Sequence, residues 1–221
     1  TNGYDPEVID QAARIDQNSD TLNIALAGSI YKWNPINSFL SVISKFIAEN
    51  PQKKIQVNFY GINIKDELEA TLNLEFPNIK SSVQIYPKME YEQLIQELAR
   101  NNLMLLFNYY SYIGTKIYDY IGIRRSILMC YSDESTSSEL KDQYYNVEEI
   151  PGISKTLQED LIREIRGGYI AKDEDDLYNI LNQLHDEFSK NKSITCHTIN
   201  SEHYSRKHQI KRLSELIKDI V

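Results

Sequence analysis

The amino-acid sequence predicts an α/β fold built on a doubly wound parallel sheet of about six strands, with helices on both faces. Short apolar runs rich in β-branched residues alternate with longer stretches of helical periodicity. The first two runs end at Gly28 and Gly61, where a chain that leaves a strand can turn. Strands separated by helices of this length pair in parallel, because right-handed crossovers place the helices over the sheet. This is the Rossmann-like class of fold.

Each predicted element follows from this alternation. The expected strands are Leu22–Ala27, Ile55–Tyr60, Val83–Tyr86, Leu103–Phe107, Ser126–Cys130 and Gly168–Ala171. Helices are expected over residues 34–49, 65–76, 91–101, 115–121, 177–188 and 205–220. Pro35 suits the first turn of the first helix, with Asn34 as its N-cap. In the less regular segment 131–166 we expect a loop with a polar stretch over 132–138, followed by an additional helix over 153–165.

Length and composition narrow the range of functions. The chain has 221 residues, of which 41% are hydrophobic and 25% charged, and we expect a single domain over residues 1–221. No apolar run approaches the roughly 20 residues that span a bilayer. The formal net charge of -8 opposes sequence-independent binding to nucleic acid, because such binding depends on clustered lysines and arginines. Thr1 begins the chain without signal-peptide features, which we interpret as the start of a trimmed chain.

Cysteine and histidine usage argues against a metal site. Cys130 and Cys196 lack a CxxC spacing, so neither a disulfide framework nor a zinc site is indicated, and a reduced, cytoplasmic compartment fits best. The four histidines also lack metal-ligand spacing. The acidic run at 173–176 precedes a helix, where carboxylates complement the helix dipole. We therefore expect no metal.

Candidate binding loops lie where the predicted strands end, because doubly wound sheets bind ligands at the carboxyl ends of their strands. These loops are residues 28–29, 61, 86–88 and 108–116. In the last loop, Gly114 precedes a helix, so the backbone amides of Gly114, Thr115 and Lys116 can approach a diphosphate closely. An ordinary helix start with Thr115 near its N-cap explains the same pattern.

The stretch 111–129, SYIGTKIYDYIGIRRSILM, resembles the donor-domain signature of retaining GT-B glycosyltransferases, the glycosyl transferases group 1 or family 4. Asp119 falls on the second acidic position of that signature, which implies hydrogen bonds to the ribose hydroxyls of the donor. Gly114 falls on the loop glycine. Two positions depart from the signature: Ser111 stands where the first acidic residue, which contacts the sugar, is usual, and Ser126 replaces a proline.

Further segments carry the same resemblance along the chain. Residues 1–6 resemble the interdomain linker, 27–30 the first strand and glycine loop, 59–61 the second strand, and 85–92 the loop over the nucleobase. The last predicted helix resembles the one that crosses back to the acceptor domain. The resemblance thus implies a nucleotide-sugar site formed by Gly28, Ser29, Lys32, Gly61, Pro87, Lys88, Met89, Gly114, Thr115, Lys116 and Asp119.

The charge that would neutralise the leaving diphosphate must come from other positions than in the family. The family uses an Arg directly after the first glycine and a Lys five residues later, where this chain has Ser29 and Asn34. Lys32 in the same loop and Lys116 in the opposite loop are the candidates to supply the cation. A solvated surface lysine is the alternative for both.

The resemblance implies the donor-binding half of a glycosyltransferase that uses a UDP- or GDP-linked sugar, without a cofactor, to build a polysaccharide or glycoconjugate. Residues 1–20 would be linker-like, residues 205–220 the crossing helix, and the N-terminal acceptor domain would be absent from this chain. We expect a cytoplasmic enzyme, either free or at the inner membrane face.

Two other interpretations stay open. A flavodoxin-like regulatory or interaction domain has the same fold class, although the acids of a phosphoacceptor are replaced by Gly28-Ser29 and Tyr86-Pro87. A GT-B-fold sugar-nucleotide epimerase is the other. A dinucleotide oxidoreductase is disfavoured, because no GxGxxG follows the first strand.

Overall fold

The computed structural model describes residues 2–110, 112–132, 152 and 154–218. These form one sheet of six parallel strands: β1 (Leu22–Ala27), β2 (Ile55–Tyr60), β3 (Val83–Tyr86), β4 (Leu103–Phe107), β5 (Ser126–Cys130) and β6 (Gly168–Ala171). Every predicted strand is confirmed to the residue. The apolar runs were sharply bounded by Gly, Pro or polar residues, so their limits could be read directly from the sequence.

The strand order is β3-β2-β1-β4-β5-β6. The chain moves outward from β1 to β3, returns to the centre at β4, and then moves outward in the other direction. The order therefore reverses between β1 and β4, which is where doubly wound sheets form their ligand crevice. The loops that follow these two strands, residues 28–35 and the described residues 108–110 and 112–115, border that crevice.

Eight α-helices lie among the described residues. They are α1 (Pro6–Ala12), α2 (Ile36–Glu49), α3 (Lys65–Leu74), α4 (Tyr91–Ala99), α5 (Lys116–Gly122), α6 (Leu157–Glu164), α7 (Glu174–Asn191) and α8 (Arg206–Lys218). Short 3-10 turns occupy Pro77–Ser82 and Ser201–Tyr204. None of the described helices is both long and apolar enough to cross a membrane.

Most helix predictions are confirmed to within a few residues, with instructive differences at the ends. The prediction of Asn34 as N-cap is wrong. Pro35 takes that position, while the Asn34 side chain accepts a hydrogen bond from the Tyr31 amide at 2.8 Å and so closes the preceding loop. Helix α7 begins three residues earlier than expected, because the Asp173 carboxylate caps it by accepting from the Asp176 amide at 2.8 Å.

Helix α1 was not predicted. It lies inside the segment expected to be linker-like, starts with the side chain of Asp5 as its N-cap, and buries Ile9 completely against α4 and α5. In the irregular segment, α6 confirms the later part of the additional helix. Residues 133–151 and 153, which include most of the expected polar loop, lie outside the described residues.

Apolar side chains cover both faces of the sheet, as predicted for a doubly wound fold. One face packs against α2 and α7 through Phe39, Phe46, Leu181 and Leu184. The other packs against α1, α4, α5 and α6 through Ile9, Ile95, Ile121 and Ile162. Helices therefore cover both faces of the sheet, and the loops at the carboxyl ends of the strands remain accessible to a ligand.

A buried arginine links several loops by hydrogen bonds at the end of the sheet opposite the crevice. The Arg125 guanidinium is 5% exposed and donates hydrogen bonds to the carbonyls of Ala99 at 2.8 Å, Asn101 at 3.2 Å and Ile123 at 3.1 Å, and also to that of Ile15. These carbonyls belong to the end of α4, to the turns before β4 and β5, and to the segment after α1. Burial lowers the pKa of Arg125, yet a guanidinium stays protonated and supplies five donors in one plane.

Arg125→Lys should destabilise the fold by at least about 2 kcal/mol, because a lysine ammonium cannot reach carbonyls on both sides and leaves some of them buried without a donor. Arg124→Lys is the matched control, since Arg124 is exposed and the change should stay within about 0.5 kcal/mol. Urea denaturation measures both. Equal midpoints for the two variants would show that the carbonyl contacts contribute nothing.

Candidate functional site

At the crevice, a tyrosine hydroxyl replaces β4 as a hydrogen-bond partner of β1. The two strands pair only at Ile24 with Leu103 and Ala25 with Met104, whereas β1 and β2 pair over six residues. Beyond those pairs, the Ala27 amide donates to the buried Tyr120 hydroxyl at 3.1 Å instead of to β4. Because Tyr120 belongs to α5, this bond ties α5 to the end of β1 beside the crevice.

Lys116, at the start of α5, lies against Gly28 at the end of β1. A Cβ added to Gly28 would stand 2.6 Å from the Lys116 Cε and would also collide with Nζ. Gly28 has a φ of 77°, a backbone conformation that favours glycine. The absence of a side chain is therefore what lets the ammonium reach this point. Burial lowers the pKa of Lys116 to about 8.

Asp119 lies one turn further along α5. Its Oδ1 accepts a hydrogen bond from the Tyr91 hydroxyl at 2.7 Å, and Oδ2 has no hydrogen-bond partner among the described residues. Burial raises the pKa of Asp119, while the Tyr91 hydrogen bond and the charge of Arg206 partly offset that rise. One carboxylate oxygen is thus held in place, and the other can accept a further hydrogen bond.

A cleft of about 680 Å³ opens beside Asp119. Its walls come from the N-terminal segment, α4, α5 and α8, through Asn2, Gly3, Tyr91, Thr115, Asp119, Arg206, Gln209, Ile210 and Leu213. The two ends of the described chain are tied together there: the Arg206 Nε donates to the Gly3 carbonyl at 2.9 Å, and the Gln209 side chain donates to the Asn2 carbonyl at 2.8 Å.

The loops after β2 and β3 form a second part of the site edge. The Gly61 amide donates to the Tyr86 carbonyl at 3.0 Å, and the Lys88 backbone passes so close that a Cβ on Gly61 would lie 3.3 Å from its Cα. Pro87 and Lys88 are exposed, whereas Met89 is half-buried and packs against the core. Of these three predicted site residues, Lys88 lies close to another predicted site residue, Gly61.

The remaining predicted residues differ in exposure. Ser29 and Lys32 are exposed, Gly114 is half-buried, and Thr115 is exposed and provides no side-chain cap to α5. Thr115 occupies the N-cap position of α5, as the ordinary interpretation of this loop expected, although its side chain makes no capping hydrogen bond. Lys116, and not Lys32, is the lysine that contacts the glycine loop after β1. Ser111 lies outside the described residues.

The sequence does not indicate one contact at this edge, and it leaves open whether tyrosines such as Tyr109, Tyr110 and Tyr112 stack on a base or sugar or pack internally. Tyr91 reaches Asp119 from another helix, and no spacing rule connects residues 28 positions apart. Aromatic residues of two loops also cluster here: Tyr31 and Trp33 after β1, Tyr109 and Tyr112 after β4. A signal for the cluster was present, since both loops follow strands that meet at the predicted crevice. Tyr110, in contrast, is buried as a packing residue.

No cluster of three or more His, Cys, Asp or Glu side chains that could hold a metal ion is found in the described part of the chain. The Asp173 carboxylate is engaged as a helix cap. His185 is buried, and its Nδ1 shares a hydrogen bond with the Ser189 hydroxyl at 3.1 Å. The charged groups at this edge include Lys116 and Asp119, both on α5.

Comparison with known proteins supports the fold through solved structures. No protein-family model matches the sequence, and no curated protein matches it either. A TarM variant from S. aureus, in complex with fondaparinux, alpha-GlcNAc-glycerol and UDP, is 14% identical and aligns with 92% of this chain and 36% of its own, with a TM-score of 0.57. The lipopolysaccharide outer core galactosyltransferase WaaB is 13% identical, with a TM-score of 0.59 over 91% of this chain and 50% of its own.

A putative UDP-N-acetylglucosamine 2-epimerase from Listeria monocytogenes also shares the fold, at 10% identity and a TM-score of 0.52, over 99% of this chain and 48% of its own. The chain thus spans half or less of the length of these three proteins. At such identities the comparison concerns the fold. It confirms the predicted resemblance at that level: the chain has the Rossmann-like fold of one domain of the GT-B glycosyltransferases.

Proposed function

We propose that this domain binds a nucleoside diphosphate sugar, the donor substrate of a glycosyltransferase, in the crevice between the loops after β1 and β4. The observation that carries the proposal is the close contact of the Lys116 side chain with Gly28, together with the position of Asp119 on the same helix. Residues three apart lie on one helix face, about 4.5 Å apart along the axis. A cation and a carboxylate at that spacing suit adjacent parts of one nucleotide, its phosphates and its ribose.

The two side chains would act on different parts of the donor. The free Oδ2 of Asp119 suits a ribose hydroxyl as a hydrogen-bond donor. When the bond between the anomeric carbon and the diphosphate oxygen breaks, negative charge grows on the diphosphate. The Lys116 ammonium, partly shielded from water, would stabilise that charge in the transition state. Gly28 leaves room for that ammonium at the end of β1.

The last described helix offers a surface for contact with the other half of the enzyme. Helix α8 carries four exposed apolar side chains, Ile210, Leu213, Leu216 and Ile217. We assign this surface to contact with an N-terminal acceptor domain, as the donor-half hypothesis implies. The acceptor would be a polysaccharide or glycoconjugate, and its binding groups would lie in that other domain. We place the enzyme in the cytoplasm or at the inner membrane face.

Sugar-nucleotide epimerisation is a second candidate, because a putative epimerase shares the fold. Both candidates require a nucleotide sugar, and they differ in the chemical step after binding. Incubation with a UDP-sugar and analysis of the product would separate them: an epimerase changes the sugar without an acceptor, whereas a transferase needs one. A flavodoxin-like regulatory domain would bind no sugar nucleotide.

The central test is a ligand-observed NMR screen of UDP, GDP, ADP and CMP, followed by calorimetry with and without EDTA. We expect UDP or GDP to bind equally well in both conditions, since the proposed site uses a lysine in place of a metal. Binding that disappears on chelation would overturn the metal-free site. No binding by any of the four nucleotides would overturn the proposed function and favour a regulatory domain.

UDP affinity should fall as pH rises through about 8, because the diphosphate pairs with the protonated form of Lys116 and that form is lost above its pKa. The decrease should not exceed about tenfold per pH unit, and it should level off once the lysine is neutral in both the free and the bound protein. Calorimetry from about pH 7 to about pH 9 measures it, with uridine as the ligand that lacks phosphate. Lys116→Arg should flatten the profile, because arginine stays protonated. If the UDP affinity of Lys116→Met showed the same pH dependence as that of wild type, Lys116 would not belong to the site.

Asp119→Asn should weaken the binding of UDP and of uridine alike, by about 1 to 3 kcal/mol, because both ligands carry the ribose diol. The same change should stabilise the unliganded fold at neutral pH. Burial raises the folded-state pKa of Asp119, so its carboxylate costs stability that is absent below the unfolded pKa and grows as pH rises through the folded pKa. Thermal unfolding at about pH 4 and about pH 7 checks the sign. A variant that is less stable at neutral pH would contradict the assignment.

Leu216→Ser and Ile217→Ser should leave the free energy of unfolding of this chain within about 0.5 kcal/mol, because both side chains are exposed. When the acceptor domain is present, the same changes should reduce sugar transfer, since donor and acceptor must be held in register. Urea denaturation and a transfer assay on the longer protein measure the two effects. Full transfer activity would show that this surface does not contact the acceptor domain.

A further inference from the structure

Four aromatic rings form a connected cluster at the mouth of the crevice. The rings of Tyr31 and Trp33 are stacked, with centroids 5.3 Å apart and planes within 1°. The Tyr109 ring meets both of them edge-on, at 6.0 Å and 5.1 Å, and Tyr112 meets Tyr109 at 6.0 Å. The cluster thus joins the loop after β1 to the loop after β4, the two loops that border the crevice.

The cluster has a buried base and an exposed top. Trp33 is 5% exposed, whereas Tyr31 is 43% and Tyr112 is 59% exposed. Since one face of Tyr31 rests on Trp33 and the ring also contacts Tyr109, the exposed area of Tyr31 includes its opposite face. An aromatic face held against a buried indole has little conformational freedom left to lose when a ligand covers it.

The position of the cluster relative to Lys116 and Asp119 indicates which part of a ligand could contact its exposed faces. A Cβ added to Gly114 would lie 3.1 Å from the Tyr109 ring, and Gly114 comes two residues before Lys116. On the other loop, Tyr31 follows three residues after Gly28, against which Lys116 lies. Along the chain, the aromatic residues of the second loop therefore precede Lys116, and Asp119 follows it. In a sugar nucleotide, the diphosphate likewise lies between the sugar and the ribose.

We propose that the exposed faces of Tyr31 and Tyr112 form the subsite for the hexose ring of the donor. This inference rests on the proposed function. A pyranose ring presents C–H groups on its faces, which suit the negative face of an aromatic ring, and hydroxyl groups at its edge, which stay accessible to water or polar groups. The exposed faces of Tyr31 and Tyr112 would supply that contact.

The experiment compares UDP with UDP-glucose, UDP-galactose and UDP-N-acetylglucosamine on the same protein. Wild type should bind at least one of these sugars more tightly than UDP, by roughly three- to tenfold, the range of one aromatic contact. Tyr31→Ala should remove this preference and leave UDP affinity unchanged. Tyr31→Phe, the matched control that keeps the ring, should retain it. Tyr112→Ala should reduce the preference.

Trp33 gives an independent readout, because it is the only tryptophan in the sequence and stacks directly on Tyr31. Its fluorescence should respond to the favoured UDP-sugar more strongly than to UDP, and Tyr31→Ala should abolish that difference. The sugar subsite is wrong if Tyr31→Ala keeps the preference, if it loses UDP affinity in parallel, or if wild type binds every UDP-sugar no better than UDP. If wild type binds neither UDP nor any UDP-sugar, the proposed function itself has failed, together with the subsite.

Discussion

The hydrogen bond from the Ala27 amide to the Tyr120 hydroxyl is the interaction on which the site depends. A parallel sheet would otherwise continue the ladder between β1 and β4 to the ends of both strands. Here the ladder stops after two pairs, and a side chain of α5 satisfies the next amide. The cost of an unpaired buried amide is thereby avoided, and the helix that carries Lys116 and Asp119 is anchored at the point where the strands part.

The same arrangement gives the site a cost in stability. Burial disfavours the charged forms of both Lys116 and Asp119, as the directions of their pKa shifts show. Neither residue has an ion-pair partner within 4.0 Å among the described residues. By contrast, the buried Arg125 at the opposite edge has carbonyl acceptors on several sides. The hydrogen-bonding groups of a buried charge are thus paired where that charge holds the fold together, and they are left incomplete where a ligand is proposed to bind.

The contrast between what the sequence predicted and what it missed follows the range of the interactions involved. All six strands were found, because they are local apolar runs between turn residues. Helix α1 was missed, because its seven residues are too short for a clear period and its stability comes from packing. Gly28 and Lys116 could be assigned to facing loops, because the carboxyl ends of neighbouring parallel strands meet at one edge. The contact between Tyr91 and Asp119 could not be predicted, because it depends on how α4 and α5 pack.

The charge balance of the chain limits how a diphosphate can be held here. With a formal net charge of -8, the protein repels an anionic nucleotide at long range, so attraction must be local. Local attraction requires a cation partly removed from water, where screening is weak, and Lys116 is such a cation. Its pKa of about 8 is low enough for proton loss to weaken binding in mildly alkaline solution, while a bound diphosphate would favour the protonated form. A single cation of this kind gives modest affinity, so ribose and sugar contacts have to supply the rest of the binding free energy.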